Sequence, residues 1–297
     1  MLGAVPAAAT DLRRACAVVG SPVDRSLSPA LHSAAYDDLG LDWVYTRREI
    51  TRGTLAHHLR RFATYGIDNL PCGGLSVTMP LKTEALRAGV PDGTVDDVST
   101  HALAQWARSA NTLIPWYERE HPVGWVAHNT DIDGIRRAFA EYDVLDASDR
   151  RVCVIGSGDT ASSAIVALTL MGATDLRLIA RNRDRADTAF EVAERGSVEL
   201  SYVPWDRLAQ EVMAAELIVS TVPPGVVDAL AGNRFGPDQT VLDVAYTQGP
   251  TPLLDAVRRD GGTAVPGVLM LLHQAVVQVE LMTGRTPDIE AMRAVLP

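Results

Sequence analysis

Two groups of residues in this chain have the types and spacing to do chemistry. The first is Gly156-Ser-Gly-Asp-Thr-Ala161, with glycines at alternate positions where a strand-like run meets a helical one. Such a loop can turn tightly and set backbone N–H groups and the positive end of a helix against a pyrophosphate. The second lies upstream: Ser26-Leu-Ser28-Pro, Ser76-Val-Thr78-Met-Pro-Leu-Lys82, Ser109-Ala-Asn111-Thr-Leu and Asn129-Thr-Asp131. Hydroxyls, carboxamides, an ammonium and a carboxylate in this company suit a small hydroxylated acid. A lysine in a cleft can exchange a proton with a substrate oxygen. A dinucleotide loop in the same chain makes hydride transfer the chemistry to expect.

Each feature has a plainer reading. Lys82 alone is a solvated surface residue, and Asp131 can serve as the N-cap of the helix it opens, a role compatible with catalysis. Ser26 and Ser28 alternate across a segment expected to be extended, which puts both hydroxyls on one face, suited to a carboxylate. Ser28-Pro29 is also a plausible helix start, with serine as cap and proline in the first turn. Asp159 brings a carboxylate to the phosphate loop, where it is expected to point outward or to cap the helix.

The end of the next strand speaks to the cofactor. A site for NAD has an acid there for the ribose 2′-hydroxyl, whereas arginine accommodates a 2′-phosphate. Here the run is Ala180-Arg181-Asn182-Arg183, with no acid before Asp184. Two guanidinium groups and an amide suit charge-assisted contact with a phosphomonoester, so NADP (NADPH) is expected. A basic turn at a helix start with no ligand would oppose the helix dipole.

Elements must position these residues. The first region reads as a strand at Ala15–Val19, a helix from Ser28, a strand around Trp43–Arg47 and a helix over Thr54–Tyr65. A strand at Leu75–Thr78, a helix entered at Pro80, a hairpin over Ser109–Ala127 and a helix over Asp131–Phe139 follow. The second region reads as a strand at Arg151–Ile155, a helix to Met171 stopped by Gly172, and strands at Asp175–Ala180, Leu217–Thr221 and Val241–Val244. That is the rhythm of an α/β, doubly wound parallel sheet. From Leu269 onward one or two helices carry His273, Gln274 and Gln278 among apolar positions, and are expected to pack back onto the first region.

Bulk properties narrow the class. The 297 residues, 47% hydrophobic and 22% charged, suffice for two domains with cores. A net charge of −10 argues against nucleic acid as partner. Arg13-Arg14, Arg47-Arg48 and Arg60-Arg61 read as solvated doublets. No apolar run reaches membrane-spanning length and no secretory signal opens the chain, so a cytoplasmic location without membrane association is expected. The Ala-rich opening reads as a loose tail. Cys16, Cys72 and Cys153 read as buried, reduced packing residues, and the 7 histidines have no metal-ligand spacing.

At these motifs the chain resembles the shikimate dehydrogenase family over nearly its whole length. VVGSPVDRSLSPALHSAAY, SVTMPLK, SANTLI, HNTDIDG, VIGSGDTASSA, ELIVSTVP, DVAYTQGPTPL and GVLMLLHQAVVQVELMTG stand in the family's order. SVTMP, SANTL and NTDIDG look closest to the actinobacterial type of shikimate 5-dehydrogenase. The resemblance implies two α/β domains around a cleft. Residues 1–135, with helices 268–297 packing back, would form the substrate domain and 136–267 a Rossmann-like dinucleotide domain. It implies reversible NADP-linked reduction of 3-dehydroshikimate to shikimate, in aromatic amino-acid biosynthesis, by a monomer or homodimer. Lys82 would be the general acid/base, with Asp131 beside it. Ser26, Ser28 and Tyr246 would hold the carboxylate, and Thr78, Asn111 and Gln274 the ring hydroxyls and reacting carbonyl. Gly156, Gly158 and Ala161 would line the diphosphate, Arg181 and Asn182 the 2′-phosphate, and Gly267 and Met270 the nicotinamide.

The chain departs from the family pattern at Ser76 (commonly asparagine), at Asp159 and Thr160 (commonly small), at Ala180 (commonly asparagine) and at Gln248 (commonly proline). Its segment between Lys82 and Asn111 is also longer than usual. Quinate or aminoshikimate dehydrogenase activity, and a catalytically silent dinucleotide-binding regulator, are the competing expectations.

Overall fold

Six consecutive residues are buried in the strand β1 (Ala15–Gly20), because helices cover both faces of the sheet it belongs to. The structure is a computed structural model that describes residues 12–88, 102–118, 121–246 and 249–297. The Ala-rich opening, Gln248 and residues 89–101 of the long segment after Lys82 lie outside the described residues. The chain divides into two compact units, Met1–Thr130 with Gln274–Leu296, and Asp131–His273.

In the first unit α1 (Ser28–Asp38) leads from β1 to β2 (Val44–Glu49), and α2 (Leu55–Tyr65) leads from β2 to β3 (Cys72–Val77). After α3 (Lys82–Ala88) and α4 (Ala102–Ala107), β4 (Thr112–Glu118) and β5 (His121–His128) complete a sheet of order β2-β1-β3-β4-β5. β2 and β3 pair with β1 in parallel, whereas β4 and β5 are antiparallel. The chain steps outward to β2 and then back across β1 to β3. Right-handed crossovers therefore place α1 and α2 on opposite faces. Ala15, Ala17 and Val19 pack with Leu55 and Leu59 of α2 and with Leu75 and Val77 of β3. Each leucine so buried contributes about 1.5–3 kcal/mol. On the other face Gly73 leaves room for the Trp43 ring and Cys16 Sγ, which a Cβ would meet at 2.7 and 2.8 Å.

In the second unit α5 (Asp131–Ala140) precedes β6 (Val152–Ile155), α6 (Asp159–Leu170), β7 (Asp175–Ala180), α7 (Asp187–Arg195) and β8 (Glu199–Pro204). Then come α8 (Leu208–Ala214), β9 (Leu217–Ser220), β10 (Thr240–Asp243), α9 (Pro252–Arg259) and β11 (Thr263–Pro266). All six strands are parallel, in the order β11-β10-β9-β6-β7-β8. Counted from β6 this is the doubly wound order 3-2-1-4-5-6, with its switch point between β6 and β9. Cys153, Ile155, Ile179, Ile218 and Val241 share a core cluster with Val212 of α8 and Leu253 of α9. Their neighbours Val152, Val154, Leu178, Val219 and Leu242 are equally buried, as a parallel sheet covered on both faces requires. The chain ends with α10 (Gly267–Thr283) and α11 (Ile289–Arg293). α10 starts in the second unit and, from Gln274, belongs to the first.

Most expected elements are present, and two strands were missed. β8 and β11 are the edges of their sheet; β8 is mostly half-exposed, and β11 is short and ends in proline, so neither carries a continuous apolar run. The three cysteines are free and buried, and burial pushes the Cys16 thiol up to about 12. The doublet reading fails at Arg14, which is 7% exposed with its guanidinium near the rings of Trp43 and Tyr117, at 5.8 and 5.1 Å. Aromatic faces compensate its desolvation. No described helix is long and apolar enough to cross a membrane, and no described cluster could hold a metal ion.

Candidate active site

In the first unit, the carboxyl ends of β1 and β3 lie side by side and carry the loops that hold most of the polar constellation. Thr78 N–H donates to Val19 C=O at 2.9 Å, and Ser21 N–H donates to Met79 C=O at 3.0 Å. The two loops are thus stitched together. Each contains a cis proline bond, Ser21-Pro22 and Met79-Pro80. Leu81 is fully buried, and Lys82, the first residue of α3, follows it half-buried. Its carbonyl accepts from Ala110 N–H at 3.0 Å, which ties it to the segment carrying Asn111.

The serine segment differs from expectation. Residues 21–27 turn rather than extend: Ser26 N–H donates to Val23 C=O at 3.0 Å, and Leu27 is already helical. Leu27, not Ser28, is the N-cap of α1, and it makes no side-chain cap bond. Ser26 Oγ instead accepts from Ser28 N–H at 3.3 Å, a local turn bond that short hydroxyl side chains form readily. Arg47 Nη2 secures the turn by donating to Ser26 C=O at 2.6 Å.

Asn111 sits just before β4 and is held by several hydrogen bonds. Its Oδ1 accepts from Thr130 N–H at 2.8 Å and from Thr112 Oγ1 at 3.0 Å. Its Nδ2 donates to Thr130 Oγ1 at 3.0 Å and to Gln274 Oε1 at 2.8 Å. Both amide hydrogens are therefore used within the unit. Gln274 accepts through Oε1, and its half-buried NH2 group has no partner among the described residues. The same holds for the hydroxyls of Ser28 and Thr78. Gln278, one turn along α10, donates to Thr112 Oγ1 at 3.0 Å. The sequence signals for this second glutamine are its place among apolar positions of the helix and its i,i+4 spacing from Gln274.

In the second unit, the expected cofactor positions Gly156, Gly158, Arg181, Asn182 and Gly267 lie just past the carboxyl ends of β6, β7 and β11, with Ala161 and Met270 in the first turns of α6 and α10. Gly156 follows β6 with φ +111°, and a Cβ there would sit 2.4 Å from Thr221 Oγ1, at the end of β9. Gly158, the N-cap of α6, is the opposite case. Its φ of −92° suits any residue, and a Cβ would meet nothing within 4 Å. The protein itself does not require glycine there; a phosphate approaching the N-terminus of α6 would. Ala161 is fully buried and lets α6 close onto the sheet. Asp159 is the first residue of α6, where the helix dipole favours a carboxylate, and its C=O accepts from Ser163 Oγ at 3.2 Å.

Beyond β7 the two arginines differ. Arg183 donates to Asp187 Oδ1 at 2.8 Å and lies 3.9 Å over the ring of Phe190. Arg181 is exposed, with no hydrogen-bond or ion-pair partner among the described residues. Asn182 Oδ1 accepts from Asp184 N–H at 2.8 Å, capping the turn and leaving its NH2 outward. This cation and amide fit a 2′-phosphate. Gly267 opens α10, and a Cβ would sit 2.5 Å from Val244 C=O, so its glycine is set by backbone packing. Met270 is buried, and Tyr246, beyond β10, is 40% exposed. Thr251, the N-cap of α9, donates from Oγ1 to Asp243 Oδ2 at the end of β10 at 2.8 Å. Asp131 is 1% exposed and begins α5, next in the chain to Thr130.

Three family models match this chain in the same order. The shikimate dehydrogenase substrate binding domain covers residues 18–113, the shikimate / quinate 5-dehydrogenase model 138–225, and the shikimate 5′-dehydrogenase C-terminal domain 267–296. A shikimate dehydrogenase (NADP(+)) of Halobacterium salinarum is 32% identical over 283 residues, 94% of this chain and 97% of the relative. The chain belongs to the shikimate dehydrogenase family.

Solved structures of the family agree with the fold. Mycobacterium tuberculosis shikimate dehydrogenase is 38% identical, with a TM-score of 0.77 over 95% of this chain and 98% of that one. Quinate dehydrogenase from Corynebacterium glutamicum, solved in complex with NAD, is 26% identical, with a TM-score of 0.79 over 95% and 98%. Of the departures from the family pattern, Ser76 is 4% exposed and bonded on both sides, accepting from Tyr45 Oη at 2.6 Å and donating to Gln278 Oε1 at 2.8 Å. Ala180, 2% exposed at the end of β7, lends its carbonyl to Tyr202 Oη at 2.9 Å.

Proposed function

We propose that the protein is an NADP-dependent shikimate dehydrogenase that reversibly reduces 3-dehydroshikimate to shikimate. The observation that carries this reading is the set of donors that no protein group takes up. Ser28, Thr78 and Gln274 in the first unit, and Arg181 in the second, present N–H or O–H groups without partners among the described residues. Buried or half-buried donors are normally paired, so Ser28, Thr78 and Gln274, left open within their unit, are suited to a ligand, and the exposed Arg181 is available to an anion.

The domain that carries Lys82 binds the substrate, and the doubly wound domain binds the cofactor. NADPH would supply the hydride. Reduction builds negative charge on the substrate oxygen, and the Lys82 ammonium stabilises that charge and donates its proton. In the oxidative direction the same nitrogen accepts it. Asp131 bonds a neighbouring substrate hydroxyl. Ser26, Ser28 and Tyr246 bind the carboxylate, and Thr78 and Gln274 bind ring hydroxyls. Asn111, with both amide hydrogens engaged, holds Gln274. Gly156, Gly158 and Ala161 receive the diphosphate, Arg181 and Asn182 the 2′-phosphate, and Gly267 and Met270 lie by the nicotinamide.

Quinate is the competing substrate, because the 138–225 match is to a model described for both activities. The test is initial-rate absorbance of reduced nicotinamide with shikimate, quinate or aminoshikimate, each with NADP and with NAD. Fast reduction with shikimate and NADP is expected. Preference for quinate or NAD would overturn the assignment, and cofactor binding without any turnover would replace it with a regulatory role.

A further inference from the structure

The hydrogen bonds around Asn111 have only one consistent polarity, and it can be read outward from two backbone groups. Thr130 N–H can only donate, so the Asn111 atom it meets is Oδ1 and the other is Nδ2. Nδ2 can only donate, so Gln274 meets it with Oε1 and turns its NH2 away. Asn111 C=O can only accept, so the Gln278 atom facing it at 3.3 Å is Nε2. Gln278 Oε1 then faces Ser76, whose hydroxyl must donate to it and so is left to accept from Tyr45 Oη. Thr112 closes the set, accepting from Gln278 and donating to Asn111. Tyr45, Ser76, Asn111, Thr112 and Gln278 are all at most 7% exposed. In such surroundings, reversing one amide would leave several polar groups unpaired, at about 1–3 kcal/mol each.

We infer that Ser76 and Gln278 are positioning residues that act through Thr112 and Asn111, reinforcing the hold of Thr130 N–H, to keep Gln274 as a hydrogen-bond donor toward the substrate. The inference rests on the proposed function for what Gln274 binds. Ser76 then has an internal role, since its hydroxyl accepts from Tyr45 while donating to Gln278. Gln274 is thereby committed to an oxygen acceptor on the substrate before binding, and reorientation of the amide adds no cost.

The test is a mutant cycle read by steady-state kinetics with shikimate and NADP. Gln278→Met, nearly the same size, removes both polar ends, and Ser76→Ala removes one hydroxyl should the first variant fold poorly. Loss of one net hydrogen bond predicts that either change raises the KM for shikimate about 5- to 10-fold, with kcat and the NADP affinity little changed. In a Gln274→Ala background the same changes should have less than about a twofold effect, because the residue they act through is gone. Equal losses in both backgrounds, or a fall in kcat with KM unchanged, would overturn the inference. A readout independent of turnover is hydrogen exchange of the Asn111 side-chain amide. Slow exchange in the wild type and fast exchange in Gln278→Met support the chain of bonds even if shikimate is not the substrate; equal rates refute it.

Discussion

Asn111 Nδ2 donates to Gln274 Oε1 at 2.8 Å, joining the residue before β4 to one on α10 that is 163 positions away. The bond decides which end of the Gln274 carboxamide is presented. It also divides labour between two residues that looked equivalent in the sequence: Asn111 directs its NH2 at Thr130 and Gln274, and Gln274 keeps its own NH2.

Lys82→Ala should lower turnover by about 10²–10⁴-fold, the usual contribution of a positioned general acid or base, with the shikimate KM changed only a few-fold. The check is kcat in both directions for a variant that folds like the wild type. Near-normal turnover would remove lysine from the mechanism.

Arg181→Ala should weaken NADP by about 10- to 100-fold, the worth of hydrogen bonds to a charged group, and leave NAD nearly unchanged. Arg183→Ala should behave differently, because its guanidinium is engaged with Asp187 and Phe190. That variant is expected to weaken both cofactors alike by loosening the turn. Dissociation constants from fluorescence titration separate the two cases, and matching profiles for the two variants would contradict this assignment.

The two loop glycines should part company. Gly156→Ala meets both an unfavourable φ and Thr221 Oγ1, so it should cost about 1–3 kcal/mol of stability. Gly158→Ala has neither problem and should melt like the wild type while binding NADP(H) more weakly. Thermal melts with and without cofactor read both effects. A destabilised Gly158→Ala with normal cofactor affinity would refute the phosphate role of that position.

His32 gives a pH signature. It is fully buried in α1, stacked on Tyr45 at 4.0 Å between ring centroids, with Nδ1 bonded to Ser28 C=O at 2.8 Å. Burial lowers its pKa from 6.5 to about 4, outweighing the opposing effect of the Ser28 carbonyl. Below pH 6.5 the unfolded chain binds a proton that the folded one refuses until about pH 4. The contribution to stability is therefore complete above 6.5 and lost as pH falls toward 4, by at most about 1.4 kcal/mol per pH unit. Urea unfolding at several pH values in this window should show the slope, and His32→Asn should flatten it by about one proton. An unchanged slope in the variant would assign the proton elsewhere.

Where burial is continuous and turns are marked by glycine or proline, the fold is legible in the sequence. β1, β3, β6, β9 and β10 are such runs, β7 becomes one from Leu178 onward, and Gly156, Gly172 and Pro29 mark the turns and helix ends beside them. The edge strand β8 escapes because much of its surface faces solvent and the apolar signal is diluted, and β11 because it is only four residues long and ends in proline. Arg14 escapes for a related reason: a charge reads as surface until Trp43 and Tyr117 are known to flank it. The serine segment misleads because alternate hydroxyls fit both a strand and a turn, and the Ser26–Val23 bond selects the turn.

By itself the sequence determined the types and order of the reacting groups: a lysine beyond a Thr-Met-Pro turn, an Asn-Thr-Asp triplet, a glycine-rich loop after a strand and an arginine at the end of the next one. These are local facts, written within a few residues of one another. Tertiary structure alone decided which donors remain open, which arginine is engaged, and that Ser76 serves Gln278. Hydrogen-bond capacity is finite, and whether a group still has any to offer depends on neighbours brought from distant parts of the chain.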